Sequence, residues 1–382
     1  MTAPLLLYVV TEDWYFLSHR LPMARAARDA GFRVAVATRV GDGAAAIAAE
    51  GFALYPLRMR RRGGGLRAEV AAIAELVGLY RRLRPAVVHH IALKAAVYGS
   101  LAARLAGVAA VVNSVAGLGY AFIGRDLKAR VLKQAMLLAF RILFRGRNRW
   151  LVVQNQDDYR LFVDNGMTRA ERTVIIRGSG VDAVALCPSP EPPPPLRAAL
   201  VARMLWDKGV GEMVEAARLL RDQGVALRPV LVGAPDPANP KSIPEAQLRD
   251  WHDQGLVEWW GHRGDIAEVW RDCAIAVLPS YREGLPKALL EAAACGRPLV
   301  ATDVPGCREL VRHDHNGLLV PARDGAALAG ALRRLAEDAG LRARLGAAAR
   351  RDAEQDFSAV TVAAETAALY RRVAGLPPLC QP

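Results

Sequence analysis

From Ile275 to Gly306 the chain reads IAVLPSYREGLPKALLEAAACGRPLVATDVPG, and this stretch restricts the fold more than any other. Ile275 to Leu278 is a short apolar run that predicts a buried strand. Pro279 to Gly284 carries turn-forming residues and predicts a loop. Pro286 suits the first position of a helix, where its missing N–H needs no partner. Leu289, Leu290, Glu291 and the alanines continue that helix, and Gly296 can close it. Arg297-Pro298 then leads into a second apolar run, Leu299 to Thr302. Strand, loop, helix and strand make one parallel unit of a doubly wound α/β sheet.

The same alternation runs through the whole chain. Strands are predicted at Leu5–Val10, Phe32–Thr38, Leu54–Leu57, Ala86–His90, Val108–Ser114, Leu151–Gln154 and Val174–Ile176. Others fall at Leu200–Ala202, Leu227–Val232, Val257–Trp260 and Leu318–Val320. Thr11 to His19 reads as a loop, followed by a helix from Leu21 to Ala30. Alternating strands and helices argue two parallel sheets, each covered by helices on both faces. The run PSPEPPPP at 188–195 is the clearest linker. It predicts one domain over 1–187 and a second over 196–356. A terminal helix follows at about 357–382.

Chemistry is expected at the loop-to-helix junction after Leu278. The amides of Gly284, Leu285 and Lys287 stand at a helix N-terminus, whose partial positive charge and unpaired N–H groups favour phosphate. Glu283 precedes that tip and Glu291 follows it inside the helix. Carboxylates do not bind phosphate, but they accept hydrogen bonds from sugar hydroxyls. A phosphate site flanked by two hydroxyl acceptors describes a nucleotide sugar.

Composition narrows the alternatives. The net charge of +13 calls for anionic partners: nucleotide, lipid diphosphate, membrane surface or nucleic acid. No run of eighteen apolar residues exists, so no membrane span is expected. MTAPLLLYVV lacks a basic leader and reads as a first strand. Cys187, Cys273, Cys295, Cys307 and Cys380 show no CxxC spacing, which suits buried thiols in a reducing cytosol. There is no zinc pattern and no Asp-x-Asp triplet, so no metal is expected.

Glu283-Gly284-Leu285-Pro286 followed by Glu291 resembles the Glu-x7-Glu signature of retaining GT-B glycosyltransferases of family 4. The phrases FLSHRLPMARAARDAGFRVAVAT, VVHHIALKAAVYGSLAARLAG, VNSVAGLGYAFIG, VVQNQDDYRLFV and GSGVD extend the resemblance over nearly the whole chain. They are similar to a bacterial subgroup that adds sugars to polyprenyl-diphosphate-linked acceptors in surface glycan assembly. The resemblance implies two Rossmann-like domains facing across a cleft, with the acceptor on the N-terminal and the donor on the C-terminal one. It implies no cofactor, no nucleic acid, and a cytoplasmic enzyme peripheral to the inner face of the plasma membrane.

Residue by residue, the resemblance implies that Arg203 and Lys208 hold the donor diphosphate and stabilise its developing charge. Glu283 would fix the donor sugar and Glu291 the ribose. Trp260 and Gly261 would stand by the base, and Gly284, Leu285, Pro286 and Lys287 by the phosphates. On the acceptor side the loops after the N-terminal strands offer His19, Arg60, Arg61, Arg62, His89, His90, Lys94, Gly117 and Gly119. His19 is also a catalytic candidate. Many family members carry His-x-His after the fourth strand, whereas Ile91 takes the second place here and His90 stands beside His89. Which imidazole faces the sugar is left open.

Arg125 to Trp150 holds eight basic residues and one acid, with leucine, isoleucine and phenylalanine between them at helical spacing. This reads as an amphipathic helix, either interfacial on anionic lipid or packed on the sheet with its basic rim near the membrane. Two other functions compete: another GT-B enzyme such as a nucleotide-sugar epimerase or phosphorylase, or a non-enzymatic basic protein binding membrane or nucleic acid.

Overall fold

The computed structural model describes residues 3–61, 65–115 and 127–378. The chain divides into two compact units, Met1–Ser179 with Val360–Pro382, and Gly180–Ala359.

The first unit carries β1 (Leu5–Glu12), β2 (Arg33–Arg39), β3 (Ala53–Pro56), β4 (Val87–Ile91), β5 (Val111–Ser114), β6 (Arg149–Val153) and β7 (Thr173–Ile175). Every pairing is parallel, in the order β3-β2-β1-β4-β5-β6-β7. Successive residues point to opposite faces, so each strand feeds two cores. Leu6, Tyr8 and Val10 pack with Leu369 and Tyr370 of the C-terminal helix Ala359–Val373. Leu7 and Val9 pack with Leu76, Tyr80 and Ala102 of the crossover helices. β1 runs on to Glu12 and a helix, Asp13–His19, follows at once where a loop was expected. Trp14, Tyr15 and Phe16 are weak helix formers. Burial of Phe16 against Tyr8 and Phe52 fixes the turn instead.

The second unit carries β8 (Leu196–Val201), β9 (Leu227–Val232), β10 (Glu258–Trp259), β11 (Ile275–Leu278), β12 (Leu299–Thr302) and β13 (Gly317–Val320). These are again all parallel, in the order β10-β9-β8-β11-β12-β13. Ala198, Leu200, Ile275 and Val277 face one core with Val214, Leu220 and Leu332. Ala199, Ala276 and Leu278 face the other with Leu289, Ala293 and Trp270.

The Pro-rich stretch is not a free linker. Arg297 is buried and donates to the carbonyls of Trp270 (2.7 Å) and Pro190 (3.1 Å), and to Ser189 Oγ. Arg342, also buried, grips Glu191 through two bonds of 2.8 and 2.6 Å. Two arginines from elsewhere in the second unit strap the prolines onto it. The boundary falls earlier, at Gly180, where Val181 exchanges backbone bonds of 2.9 Å with Phe357 and Ala359.

Candidate active site

In the second sheet β8 and β11 are neighbours, and the strand order reverses between them. The loops leaving their carboxyl ends diverge there, which is where ligands of such sheets bind. The loop after β8 ends in a short turn, Trp206–Lys208. Lys208 Nζ meets Glu283 Oε1 of the loop after β11 at 2.5 Å. The two side chains are 22% and 12% exposed, a reachable pair rather than a core one. Backbone contacts hold the loops in register: Tyr281 N and Ser280 Oγ both donate to Asp207 O, at 3.0 and 3.1 Å.

A third loop braces the second. Glu283 N donates to Pro305 O at 3.1 Å, and Thr302 Oγ1 donates to Ser280 O. Gly306 has φ +83°, and a Cβ there would lie 2.5 Å from Gly284 O and 2.6 Å from Glu283 O. Only glycine permits both that backbone and that approach. Behind the loop, Tyr281 OH donates to Glu212 Oε1 at 2.6 Å while the Arg323 guanidinium stacks 4.6 Å from its ring. Burial, then the Glu212 contact, pushes the Tyr281 hydroxyl well above its ordinary pKa. Burial likewise raises the thiol of Cys307, helped by the charge of Glu283, so it stays neutral.

The helix after this loop runs Lys287–Ala294, with Pro286 at its cap in an extended conformation, one place earlier than expected. Pro286 offers no side-chain cap, so the first N–H groups are left for loop, solvent or ligand. Glu291 lies one turn in, paired with Lys287 at 2.8 Å. Arg203 Nη1 meets Asp236 Oδ2 of the loop after β9 at 2.5 Å. The guanidinium groups of Arg197 and Arg263 each lie 5.9 Å from the centre of the Trp260 ring. Gly261, with φ +67°, accepts from Gly233 N at 2.7 Å and closes the edge of the sheet.

In the first unit the expected acceptor residues fare differently. His89 and His90 are buried inside β4. His89 bonds Tyr370 OH through Nδ1 and Ser114 Oγ through Nε2, both at 2.6 Å. His90 bonds Asn113 Oδ1 at 2.8 Å and Tyr80 OH at 2.9 Å. With both nitrogens of each ring engaged, neither imidazole is offered to a ligand. Burial holds His90 down at about 4 and His89 well below its ordinary range, so both are neutral near pH 7. A Cβ at Gly99 would lie 2.3 Å from the His90 ring, which shows how closely the strand is packed there. The expectation that these histidines contact acceptor is corrected: they organise the core.

Lys94 also has a protein partner, Glu69 at 2.8 Å, and lies 5.2 Å from the Tyr98 ring. His19 ends its helix half-buried, stacked on Tyr15 at 4.2 Å. Arg60 is exposed and Arg61 half-buried. Arg62, Gly117 and Gly119 lie outside the described residues. At this edge the carboxylate of Asp13 is a feature the sequence did not announce: it accepts from Gly41 N and Gly43 N at 2.6 and 3.0 Å and ties down the loop after β2.

Among the described residues no cluster of histidine, cysteine or carboxylate could hold a metal ion, and no helix is long and apolar enough to cross a membrane.

Residues 196–338 match the family model described as glycosyl transferases group 1, and residues 6–155 the one described as glycosyl transferase 4-like. WcaL of Escherichia coli, named for colanic acid biosynthesis, is 31% identical over 286 residues, 72% of this chain and 68% of its own. The chain belongs to the family-4 glycosyltransferases. A second relative of this glycosyltransferase comes from Campylobacter jejuni. It is named N,N'-diacetylbacillosaminyl-diphospho-undecaprenol alpha-1,3-N-acetylgalactosaminyltransferase, and is 28% identical over 313 residues, 78% of this chain and 80% of its own. The fold is GT-B: HepE of Anabaena, crystallised with UDP and glucose, superposes with a TM-score of 0.75 at 19% identity, covering 98% of this chain and 100% of that one. Family membership makes the protein an enzyme and removes the non-catalytic binding protein that its charge alone allowed.

For this glycosyltransferase the structure brings Lys208, Glu283 and the tip of helix Lys287–Ala294 together at one switch point. It leaves Arg203 with Asp236, on the next loop. Sequence reasoning missed Asp207, Thr302 and Gly306. Of these, only the Pro305-Gly306 turn carried a signal, as a loop opposite the Glu283 loop.

Proposed function

We propose that this glycosyltransferase moves a sugar from a nucleotide-sugar donor, UDP-linked, to a polyprenyl-diphosphate-linked glycan, with retention at the anomeric carbon. The Lys208–Glu283 pair beside an uncapped helix tip carries this reading. Breaking the anomeric bond leaves negative charge on the departing diphosphate. A lysine beside a helix N-terminus would stabilise that charge once it has exchanged its present partner for phosphate. Lys208 would exchange its carboxylate for phosphate, and Glu283 would turn to the hydroxyls of the sugar. Arg203 would leave Asp236 for the outer phosphate, and Glu291 would accept from the ribose.

Trp260 and Gly261 would border the base. His19, Arg60 and Arg61 remain acceptor candidates in the N-terminal unit. UDP is the nucleotide most frequent in the family. The acceptor class and an alpha product follow the printed name of the Campylobacter relative. No metal is required in this scheme, and the enzyme would work at the cytoplasmic face of the membrane, held peripherally.

The test is transfer from a panel of UDP- and GDP-sugars to a synthetic lipid-diphosphate glycan, with a chelator present and the product anomer read by NMR. An alpha product from a UDP-sugar is expected. An inverted product, or turnover that vanishes with the chelator, would overturn the scheme.

A further inference from the structure

Two helices of the first unit, Asp13–His19 and Leu21–Asp29, meet at Arg20, past the carboxyl end of β1. This arginine is only 4% exposed. Its Nη1 donates to Gly178 O, beyond β7, over a long 3.4 Å. Its Nε is sealed from solvent and has no partner. Among the described residues no carboxylate pairs with it. The two acids just before it in the chain are committed elsewhere. Glu12 holds Arg39 at 2.8 Å, and Asp13 holds the amides of Gly41 and Gly43.

The titratable groups nearby bring no negative charge. Tyr8 OH, Tyr370 OH and His89 Nδ1 form a buried chain, with steps of 2.8 and 2.6 Å. The charge of Arg20 reaches all three. Burial raises the two hydroxyls well above their ordinary range and lowers the imidazole, so all three are neutral near pH 7. A buried cation without a counter-ion is costly, and arginine is almost never fully buried unless paired. One long bond to a neutral carbonyl does not make that pair. The place is the carboxyl edge of the sheet, where ligands of such folds enter. That edge is open beside it: Trp14, on the helix that ends there, is 50% exposed.

We propose that Arg20 is the cation of an anion site in the N-terminal unit, and that its counter-ion is a phosphate of the diphosphate-linked acceptor. The planar guanidinium presents paired donors that match phosphate oxygens, and a desolvated setting strengthens the contact. On the proposed reading the donor's phosphates go to Lys208 and the helix tip of the other unit, which leaves the acceptor's for Arg20. The inference rests on the acceptor class of the proposed function and gives its diphosphate a residue.

The test compares Arg20→Met, which keeps length and loses charge, with Arg20→Lys, which keeps charge and loses the fork. In Arg20→Met the KM for a synthetic lipid-diphosphate glycan should rise roughly thirtyfold, as for loss of a charge-assisted hydrogen bond. Arg20→Lys should recover part of that loss. Donor KM and donor hydrolysis should stay at wild-type values in both. The melting midpoint of Arg20→Met should not fall, because an unpaired buried charge has been removed. A lower midpoint with an unchanged acceptor KM would make Arg20 a structural clasp on Gly178 and overturn the site. A raised donor KM with acceptor KM unchanged would overturn the acceptor as the source of the anion. Calorimetry with inorganic pyrophosphate reads the site without turnover: Arg20→Met should bind one pyrophosphate fewer than wild type, and equal stoichiometry would overturn the anion site. Wild-type transfer that is as fast to the same glycan on an uncharged lipid would overturn the acceptor class, whereas a lost pyrophosphate site would still support Arg20 as an anion receptor.

Discussion

The two sheets share one strand order through six strands, yet they treat the ends of their central strands in opposite ways. In the first, the polar groups lie within the strand: His89 and His90 stand in β4, in register with Tyr8 and Val9 of β1. Helices wall both faces there, so each imidazole must find its partners inside the protein, and each does. In the second, β11 is wholly apolar and pairs with Ala198, Ala199 and Leu200. Lys208 and Glu283 come only after the strands have ended, where the connections part and ligand can enter. Residue type alone would rank the histidines as the better catalytic groups. Position relative to the strand end reverses that ranking.

The largest effect that could break this contrast is on the second sheet. Lys208→Ala removes the cation expected to face the leaving group, and kcat for transfer should fall roughly a hundredfold. Glu283→Gln keeps the shape and removes the charge, and should also lower kcat while the fold survives. Steady-state kinetics on both variants, beside their melting curves, separate catalysis from stability. Rates within a few-fold of wild type for both would remove the switch point from the mechanism.

On the first sheet the contrast demands the reverse. His90→Leu leaves the buried Tyr80 hydroxyl without its ring partner, although Ser100 still bonds Asn113. An orphaned buried group costs about 2 kcal/mol. Urea unfolding should show that loss while kcat and KM of the folded enzyme stay put. A fall in kcat with an unchanged unfolding midpoint would return His90 to the active site.

The same histidines set a pH dependence. His90 titrates at about 4 in the folded state and near 6.5 when unfolded, with burial as the main cause. Below pH 6.5 the unfolded chain takes up a proton that the native chain refuses, so acid favours unfolding. The stabilisation is complete above 6.5 and is lost between there and about 4. Lowering the pH from 6.5 to 5 should cost about 2 kcal/mol through His90 alone. Unfolding midpoints over this range should fall in the wild type and fall less in His90→Leu. Parallel curves for the two would disprove the assignment.

Much of this contrast was legible beforehand. Ile275–Leu278, Leu227–Val232 and Leu299–Thr302 are apolar runs with turn residues at their ends, and the strands fall where those runs do. The carboxylate pair and the helix tip could be read because they are close in sequence. The histidines could not: their fate depends on Tyr370, which is distant along the chain, and on the empty space at Gly99. The Pro-rich stretch reads as a linker by composition, and only Arg297 and Arg342, far downstream, make it part of a domain. Each misreading traces to a partner that local pattern cannot supply.

The smallest expected effect sharpens the role of Glu291. Its carboxylate is paired with Lys287 across one helical turn. If that pair is all it does, Glu291→Ala should cost no more than roughly 0.5 kcal/mol of stability and leave binding alone. If it accepts from the ribose, the loss falls on ligands that carry a ribose. An uncompensated hydroxyl contact of this kind is worth about tenfold in affinity. UDP and inorganic pyrophosphate divide the two cases, because on the proposed reading both would engage the helix tip and Lys208 while only UDP would bring a ribose. Calorimetry on Glu291→Ala should therefore show a weaker Kd for UDP and an unchanged one for pyrophosphate, with kcat at saturating donor nearly that of wild type. Equal weakening of both ligands would mean that the side chain acts through Lys287 and the helix tip. In that case the second carboxylate of the signature would be a part of the phosphate site and not of the sugar-binding one.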